Sequence, residues 1–331
     1  MGMTIARMEP GAGPAREQGS MAGNGQLPAV GFHAGELAVQ RRAGVAAEAA
    51  RLAPMLEPAQ LRGGMAGFLA DRTFAVLAAR DPAGRLWASP LTGTPGFLAV
   101  TSPTTLRVRA VIPGADPLHG LAPGQRAGLI AIEFATRRRV RLNGTLAAAG
   151  DGQLLVDVEQ AYGNCPQYIQ QRVLAPGDAH RGTDQEKARH ASTFTVADAD
   201  LIRAADTFFL GTTHPQRGTD ASHRGGPAGF VRVDGNQLWW PDYPGNNMFN
   251  SFGNLAVSPE AALLFIDFGT GTALQLSGTA SVQWGRPGEP GDDGGTGRRG
   301  RFDLERLVAG RLLPAHQVAH RPYPRNPELT S

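Results

Sequence analysis

The sequence predicts a mostly β protein made of two tandem β-barrels with a few short helices. Three observations carry that expectation: an internal repeat, short β-type runs closed by turn residues, and a high content of glycine and proline. At 331 residues the chain is long enough for two domains of ordinary size, because single cores stop growing near that length. The 44 glycines and 25 prolines favour tight turns and short strands over long helices. With 41% hydrophobic and 18% charged residues, the composition is that of a globular chain and excludes disorder throughout.

The repeat organises everything else. Ala131-Ile132-Glu133-Phe134-Ala135-Thr136 recurs as Phe265-Ile266-Asp267-Phe268-Gly269-Thr270, and Leu142-Asn143-Gly144-Thr145 as Leu276-Ser277-Gly278-Thr279, both at an offset of 134 residues. Pro95-Gly96-Phe97-Leu98 matches Ala228-Gly229-Phe230-Val231 at 133, an offset shared by Ser89 and Ser222. Thr73-Phe74 against Thr207-Phe208 returns to 134.

Each copy reads as six short strands, which suggests a closed or nearly closed barrel. In the first copy they are 73–79, 96–100, 106–110, 128–134, 138–147 and 154–160. In the second they are 207–213, 228–233, 238–240, 261–268, 273–284 and 301–308. Asp81-Pro82-Ala83-Gly84 is a turn, proline presetting φ and glycine permitting a positive one. Residues 36–52 carry helical periodicity, and the Gly/Asp-rich stretch 287–300 is expected to be a mobile hairpin loop. The expected organisation is a disordered leader over 1–30, a first barrel domain over 31–172, a linker over 173–195 and a second barrel domain over 196–331.

Several classes of function are set aside by composition. A net charge of +3 is no nucleic-acid footprint. No run of about 18 apolar residues suits a transmembrane helix. Cys165 is the sole cysteine, so no intrachain disulfide can form and a reducing cytoplasm is the expected compartment. Gly269-Thr270-Gly271 lacks the third glycine of a dinucleotide loop. His316 and His320 have no companion ligands that would make a metal site, so no metal is expected.

The second copy carries a longer motif order. Asp220-Ala221-Ser222-His223-Arg224-Gly225-Gly226-Pro227-Ala228-Gly229-Phe230 is followed by Trp240-Pro241-Asp242-Tyr243-Pro244-Gly245-Asn246-Asn247, then by Asn250, Ser251 and Asn254. Ser258-Pro259-Glu260-Ala261-Ala262-Leu263-Leu264-Phe265 and Leu274-Gln275-Leu276-Ser277-Gly278-Thr279-Ala280 complete it. This order resembles the FMN-binding split-barrel superfamily related to pyridoxamine 5′-phosphate oxidase, over roughly residues 200–285. The first copy resembles the same fold more weakly. Its end, Asn164-Cys165-Pro166-Gln167-Tyr168, resembles the ‘H-C-P-K’ segment that follows the barrel in single-domain relatives, with Asn164 and Gln167 replacing histidine and lysine.

The resemblance implies an FMN-binding flavoprotein, with oxidoreductase chemistry at the flavin ring. Ser222, Arg224, Gly225, Trp240, Asp242, Asn246, Asn247, Asn250 and Ser251 are the implied cofactor-binding residues of the second copy. Asn164, Cys165 and Tyr168 are those of the first. The residues suit a phosphate: Arg224 offers a planar cationic fork, and Ser222 a hydroxyl on the same face of the strand. Gly245-Asn246-Asn247 is expected to open a short helix with free N–H groups. No catalytic residue is assigned.

Blander readings stand beside these. Asn246 and Asn247 can satisfy a turn, and His223, on the opposite strand face, reads as a solvent or interface residue. Cys165 reads as a small buried residue rather than a nucleophile. Of Trp239 and Trp240, one faces a barrel interior and the other the cofactor side or the partner barrel. Arg137, Arg139 and Arg141 share a strand face that solvates or pairs with carboxylates, with flavin contact the minority reading.

Leu91 stands where Arg224 aligns, and 113–125 shows no Asn-Asn turn. The second copy in turn lacks a ‘C-P’ segment. These complementary losses imply one composite flavin site per chain, although a homodimer of such chains stays open. The redox partner, a small molecule or a protein, is not read from the sequence. A non-catalytic flavin carrier or sensor and a haem-binding split barrel are the alternatives.

Overall fold

A computed structural model describes residues 31–176 and 188–329. The leader expected over 1–30 and the middle of the linker expected over 173–195 lie outside the described residues.

The described chain enters through helices α1 (Ala34–Arg42) and α2 (Ala46–Ala50). The single helix expected over 36–52 is broken because Gly44 takes a φ of 73°, the left-handed conformation that ends a helix. His33 and Glu36 form a reciprocal capping box at the start of α1. After α3 (Gly64–Ala70) come β1 (Phe74–Arg80), β2 (Leu86–Thr92), β3 (Leu98–Ser102), β4 (Thr105–Arg109), β5 (Arg126–Glu133), β6 (Arg138–Gly150) and β7 (Gln153–Gly163). They form one antiparallel sheet in the order β2-β1-β5-β6-β7-β4-β3.

Next in the chain are β8 (Gln171–Pro176), β9 (Arg189–Ala191) and α4 (Val196–Ala204). The second barrel contains β10 (Thr207–His214), β11 (Gly218–Gly225), β12 (Arg232–Asp234), β13 (Gln237–Pro241), α5 (Asn250–Leu255), β14 (Glu260–Asp267), β15 (Thr272–Trp284) and β16 (Arg298–Arg311). Its order, β11-β10-β14-β15-β16-β13-β12, repeats that of the first sheet strand for strand. The last strand, β17 (Ala315–Arg321), pairs with β8 at the end of the first barrel, and β9 pairs with β16. The fold is therefore mostly β, two tandem split barrels with a few short helices.

The first barrel has seven strands where six were expected, and the second has the equivalent seven with β9 as an eighth paired to β16. The extra strand of the first barrel, β2, contains Pro90 and lies at the sheet edge, where a missing N–H is tolerated. The loop expected to be mobile is internally tied: the Asp292 carboxylate accepts from the N–H groups of Gly288 and Gly297 at 2.9 Å each.

Register corrects one detail of the repeat. Leu77 stands opposite Ser89, and Leu210 opposite Ser222, so β1 corresponds to β10 at an offset of 133. The match of Phe74 with Phe208 at 134 is therefore one residue out of step. A one-residue slip turns every side chain to the other face. Phe74 faces the other barrel, whereas Phe208 lies in its own barrel core, as Ala75 does. Gly144 and Gly278 keep the offset of 134 and sit at equivalent bulges. A Cβ on either would meet a carbonyl oxygen of the next strand, Asp157 at 2.0 Å or Asp303 at 2.1 Å.

Three large apolar clusters result among the described residues, one inside each barrel and a third between them, and a small fourth joins Leu56, Tyr162 and Met248. The third joins Val76, Ile130 and Ile132 to Ala262, Leu264 and Ile266. At its centre the rings of Phe74, Phe134, Phe209 and Phe268 meet at centroid distances of 5.5–6.1 Å. Tilted pairs of this kind add about 0.5–1.5 kcal/mol each beyond area burial. The barrels are thus packed face to face, and a cleft opens beside the shared apolar layer.

Candidate functional site

The cleft lies where β11 of the second barrel meets β6 of the first. Its wall comprises Arg139 and Arg141 from β6; Asn164, Cys165, Gln167 and Tyr168 after β7; and His223, Arg224 and Gly225 from β11. Trp240, Asp242 and Tyr243, the loop Gly245, Asn246, Asn247 and Phe249, the start of α5 with Asn250, Ser251 and Phe252, and Arg298 close the other side. Its cavity is about 120 Å³, well below the roughly 300–1,000 Å³ of a typical small-molecule site. The rings of Tyr168 and Tyr243, which both line it, stack on each other at a centroid distance of 4.9 Å.

Four guanidiniums converge here. Arg141 donates to Asp220 Oδ2 at 3.1 Å, a buried ion pair joining the two barrels. Asn143 and Ser251 also donate to that carboxylate, at 3.4 and 3.3 Å. Asp242 accepts from Arg298 Nε at 2.9 Å and lies 3.6 Å from Arg224 Nη1. Burial pushes the Asp242 carboxyl up, and the charges of Arg224 and Arg298 oppose that rise. Arg224 also lies over the Phe252 ring at 5.2 Å, and burial pushes its pKa down. Arg139 has no carboxylate partner among the described residues; burial, then the charge of Arg141, pushes its pKa down to about 9. It therefore stays cationic near neutral pH.

Counted as charges, four arginines face two carboxylates, an excess of two positive charges in a site closed to water on most sides. The hydrogen-bond inventory points the same way. Among the described residues, Arg139 Nε, Arg141 Nε, Arg224 Nε, His223 Nε2, Trp240 Nε1 and Tyr243 OH are buried without a partner, as is the acceptor Asn164 Oδ1. Buried polar groups are ordinarily satisfied. A concentration of unmet donors around one cleft fits an anion with several acceptor oxygens.

The structure brings eleven of the twelve residues implied by the resemblance onto this cleft: Arg224, Gly225, Trp240, Asp242, Asn246, Asn247, Asn250, Ser251, Asn164, Cys165 and Tyr168. Ser222 lies behind the wall, fully buried, with its Oγ 3.3 Å from Leu210 O and 3.0 Å from Ser251 Oγ. Gly225 is required by packing, since a Cβ would stand 2.0 Å from the carbonyl oxygen of Tyr168. Asn250 is turned partly away, donating to Glu36 Oε1 of α1 at 2.5 Å. Burial pushes Glu36 up to about 7.

Three expectations change. The helix expected to open at Gly245-Asn246-Asn247 starts at Asn250 and has six residues; Asn247 and Phe249 take φ values of 60° and 58°, which hold the preceding segment as a loop. Arg137 does not share a face with Arg139 and Arg141: with φ of 53° it belongs to the turn before β6 and donates to Ile169 O. Arg139, Arg141, His223 and Arg298 belong to the cleft although none was named among its residues. For Arg139 and Arg141 the signal was present, two cations alternating on one strand face. Arg298 lay in a stretch expected to be loop, and nothing local marked it.

Of the adjacent tryptophans, Trp240 is buried in the second barrel and reaches the cleft, whereas Trp239 is sandwiched by Arg232 and Arg299. His320 pairs with Asp206 at 2.8 Å, on the β8–β17 side of the molecule.

Residues 194–289 match the family model described as pyridoxamine 5′-phosphate oxidase. The resemblance of the chain to the FMN-binding split-barrel family is shown by that match, which covers the motif order from Ser222 to Ala280. Among curated proteins, none matches the chain. Solved structures similar in fold include HupZ from Group A Streptococcus, 15% identical over 38% of this chain and 99% of that one, with a TM-score of 0.30. A Clostridium acetobutylicum protein related to general stress protein 26, of the pyridoxinephosphate oxidase family, is 15% identical over 37% and 93%, with a TM-score of 0.28. An FAD-binding protein from Mesorhizobium loti is 11% identical over 37% and 96%, with a TM-score of 0.27. Likenesses this distant carry no weight for function. No helix among the described residues is long and apolar enough to cross a membrane.

Proposed function

We propose that the protein is a cytoplasmic flavoprotein that binds one FMN per chain in the cleft between its barrels and acts as an oxidoreductase. The observation that carries this reading is the excess of arginine over carboxylate in a cleft ringed by unpartnered donors. The barrels are read as products of one duplication, which lets a single chain form the paired arrangement that a split barrel otherwise needs two copies to make.

Arg224 and Arg298, held apart by Asp242, are placed to grip a phosphate from one side, with Asn246 and Asn247 adding neutral donors. Ser251 sets the floor through Asp220 and Ser222. Asn164, Cys165 and Tyr168 wall the other end, and the aromatic side chains of Tyr168 and Tyr243 there would hold a planar ring. A bound flavin supplies the hydride or electron transfer. The chain supplies orientation, exclusion of water and hydrogen bonds. FMN is preferred to FAD because the cations serve one anionic end, with no adenosine-binding signature beside them. The cleft is complete within one chain, so a homodimer is not required for it.

The visible spectrum of the purified protein, with a count of flavin released per polypeptide, tests this. A yellow protein with one FMN per chain is the expected result. Two FMN per chain overturns the composite site, a Soret band points to haem, and a colourless protein that takes up no FMN overturns the flavin reading. Turnover with a nicotinamide donor and an acceptor separates an oxidoreductase from a flavin carrier.

A further inference from the structure

We infer that His223, held in its Nε2–H tautomer by Arg139, donates a hydrogen bond to an uncharged acceptor atom of the ligand, a ring carbonyl oxygen or an unprotonated ring nitrogen. The inference rests on the flavin reading above and assigns a recognition residue to it.

The tautomer follows from the partner. Arg139 Nη1 lies 2.8 Å from His223 Nδ1, and a guanidinium has no acceptor to offer. Nδ1 must therefore accept, which puts the ring hydrogen on Nε2. The ring cannot turn freely, because it is buried and stands edge-on to Phe209 at 5.7 Å. The doubly protonated form is disfavoured by burial and by the charges of Arg139, Arg172, Arg224 and Arg141, which hold the imidazole pKa well below its ordinary range.

What remains is a neutral donor on a residue that lines the cleft, its Nε2 buried and without a partner among the described residues, so a ligand atom that meets it has to take up that buried N–H. The neighbouring guanidiniums outcompete it for a phosphate. The Arg139 cation on Nδ1 polarises the ring and strengthens Nε2–H as a donor. An acceptor that gains negative charge on reduction would be stabilised most, which raises the potential of the bound ring. This tautomer has no lone pair at Nε2, so the ring as placed cannot ligate a metal there. At the related position of the first barrel stands Pro90, which offers no side-chain donor.

The test uses the full chain labelled with ¹⁵N-histidine. In the ligand-free protein the ring signals lost in His223→Gln should show the neutral Nε2–H tautomer from about pH 5.5 to 8, below and above the ordinary imidazole pKa. Inorganic phosphate should leave the Nε2 signal in place, and FMN should move it. His223→Phe should weaken FMN binding by about three- to tenfold, the range of one neutral hydrogen bond. His223→Gln, which restores an N–H donor, should recover much of that, and competition by inorganic phosphate should be unchanged in both variants.

An Nδ1–H or doubly protonated ring overturns the inference. So does saturation with FMN that leaves the Nε2 signal unmoved, or wild-type affinity in His223→Phe. Failure of the wild-type protein to bind FMN overturns the flavin reading and the ligand-facing role together. The ligand-free spectrum then shows separately whether the Arg139–His223 pair had the stated tautomer.

Discussion

The two barrels make two grooves, one on each side of their shared apolar layer, and the side chains that line them differ. In the cleft, β6 presents Arg139 and Arg141 to β11. In its counterpart, β15 presents Ala273 and Gln275 to β2. Gln275 Nε2 donates to Ser89 Oγ at 2.8 Å and to Asp116 Oδ2 at 3.1 Å, and Ser89 donates to Asp116 Oδ1 at 2.6 Å. All three are buried. Where the cleft has His223 and Arg224, the counterpart has Pro90 and Leu91, and its outer wall mixes Phe97, Val111, Leu312 and Pro314 with Thr92, Thr94 and a single arginine, Arg109. Its buried polar groups largely satisfy one another, with Gln275 Oε1 left over, whereas the cleft keeps a ring of unmet donors. The same backbone therefore supports a largely self-satisfied polar lock on one side and a cluster of arginines with unpartnered donors on the other, and a few side chains decide which.

The sharpest way to break this contrast is to remove one member of the buried pair. Arg141→Leu leaves Asp220 charged and unpaired between the barrels and should cost about 3–5 kcal/mol in urea denaturation. The double variant Arg141→Leu with Asp220→Leu should recover most of it. Gln275→Leu, at the related position of the lock, should cost clearly less, since Ser89 and the Leu118 N–H still serve Asp116.

The lock itself should show a pH signature. Burial pushes Asp116 up to about 6, opposed by hydrogen bonds from Ser89, Leu118 and Gln275. A carboxyl whose folded pKa lies above its unfolded value binds its proton more tightly when folded. Its ionisation therefore removes stability as pH rises from the unfolded pKa through about 6. Asp116→Asn should stabilise the protein by on the order of 2–3 kcal/mol near pH 7–8 and give no gain below about pH 4, measured as the difference between denaturation curves.

Binding separates the grooves next. Arg224→Ala should weaken FMN binding by about ten- to hundredfold, the loss of a charge-assisted contact of about 1.5–3 kcal/mol, whereas Leu91→Ala should leave it unchanged. Unaltered fluorescence titration of Arg224→Ala would remove that residue from the phosphate site. The smallest effect is expected at the mouth. Tyr168→Phe loses the hydrogen bond from Tyr168 OH to Pro244 O, and should shift the flavin absorption band while changing affinity by less than about threefold.

Much of the architecture was legible because it depends on local periodicity. Alternating runs gave the strands, turns such as Asp81-Pro82-Ala83-Gly84 gave their limits, and the recurring Leu-x-Gly-Thr islands gave the second barrel, whereas the helical break at Gly44 was not read. Pro90 hid β2, since proline counts against a strand until its edge position is known. The one-residue slip at Phe74 arose because two phenylalanines matched by type while facing different cores, which only the pairing of Leu77 with Ser89 and Leu210 with Ser222 resolves.

The sequence by itself determined the kind of fold, the motif order from Ser222 to Ala280 and the cationic strand residues, because these are encoded within single strands and turns. The tertiary structure decided which of them meet. Arg141 joins Asp220 across the barrels, Arg139 fixes the tautomer of His223, Arg298 reaches Asp242 from β16, and Ser222 recedes behind Ser251. Each of these contacts depends on how the two sheets are docked, and that docking is set by the apolar layer of Phe74, Phe134, Phe209 and Phe268. Burial within it then shifts charges and tautomers in ways that no single strand specifies.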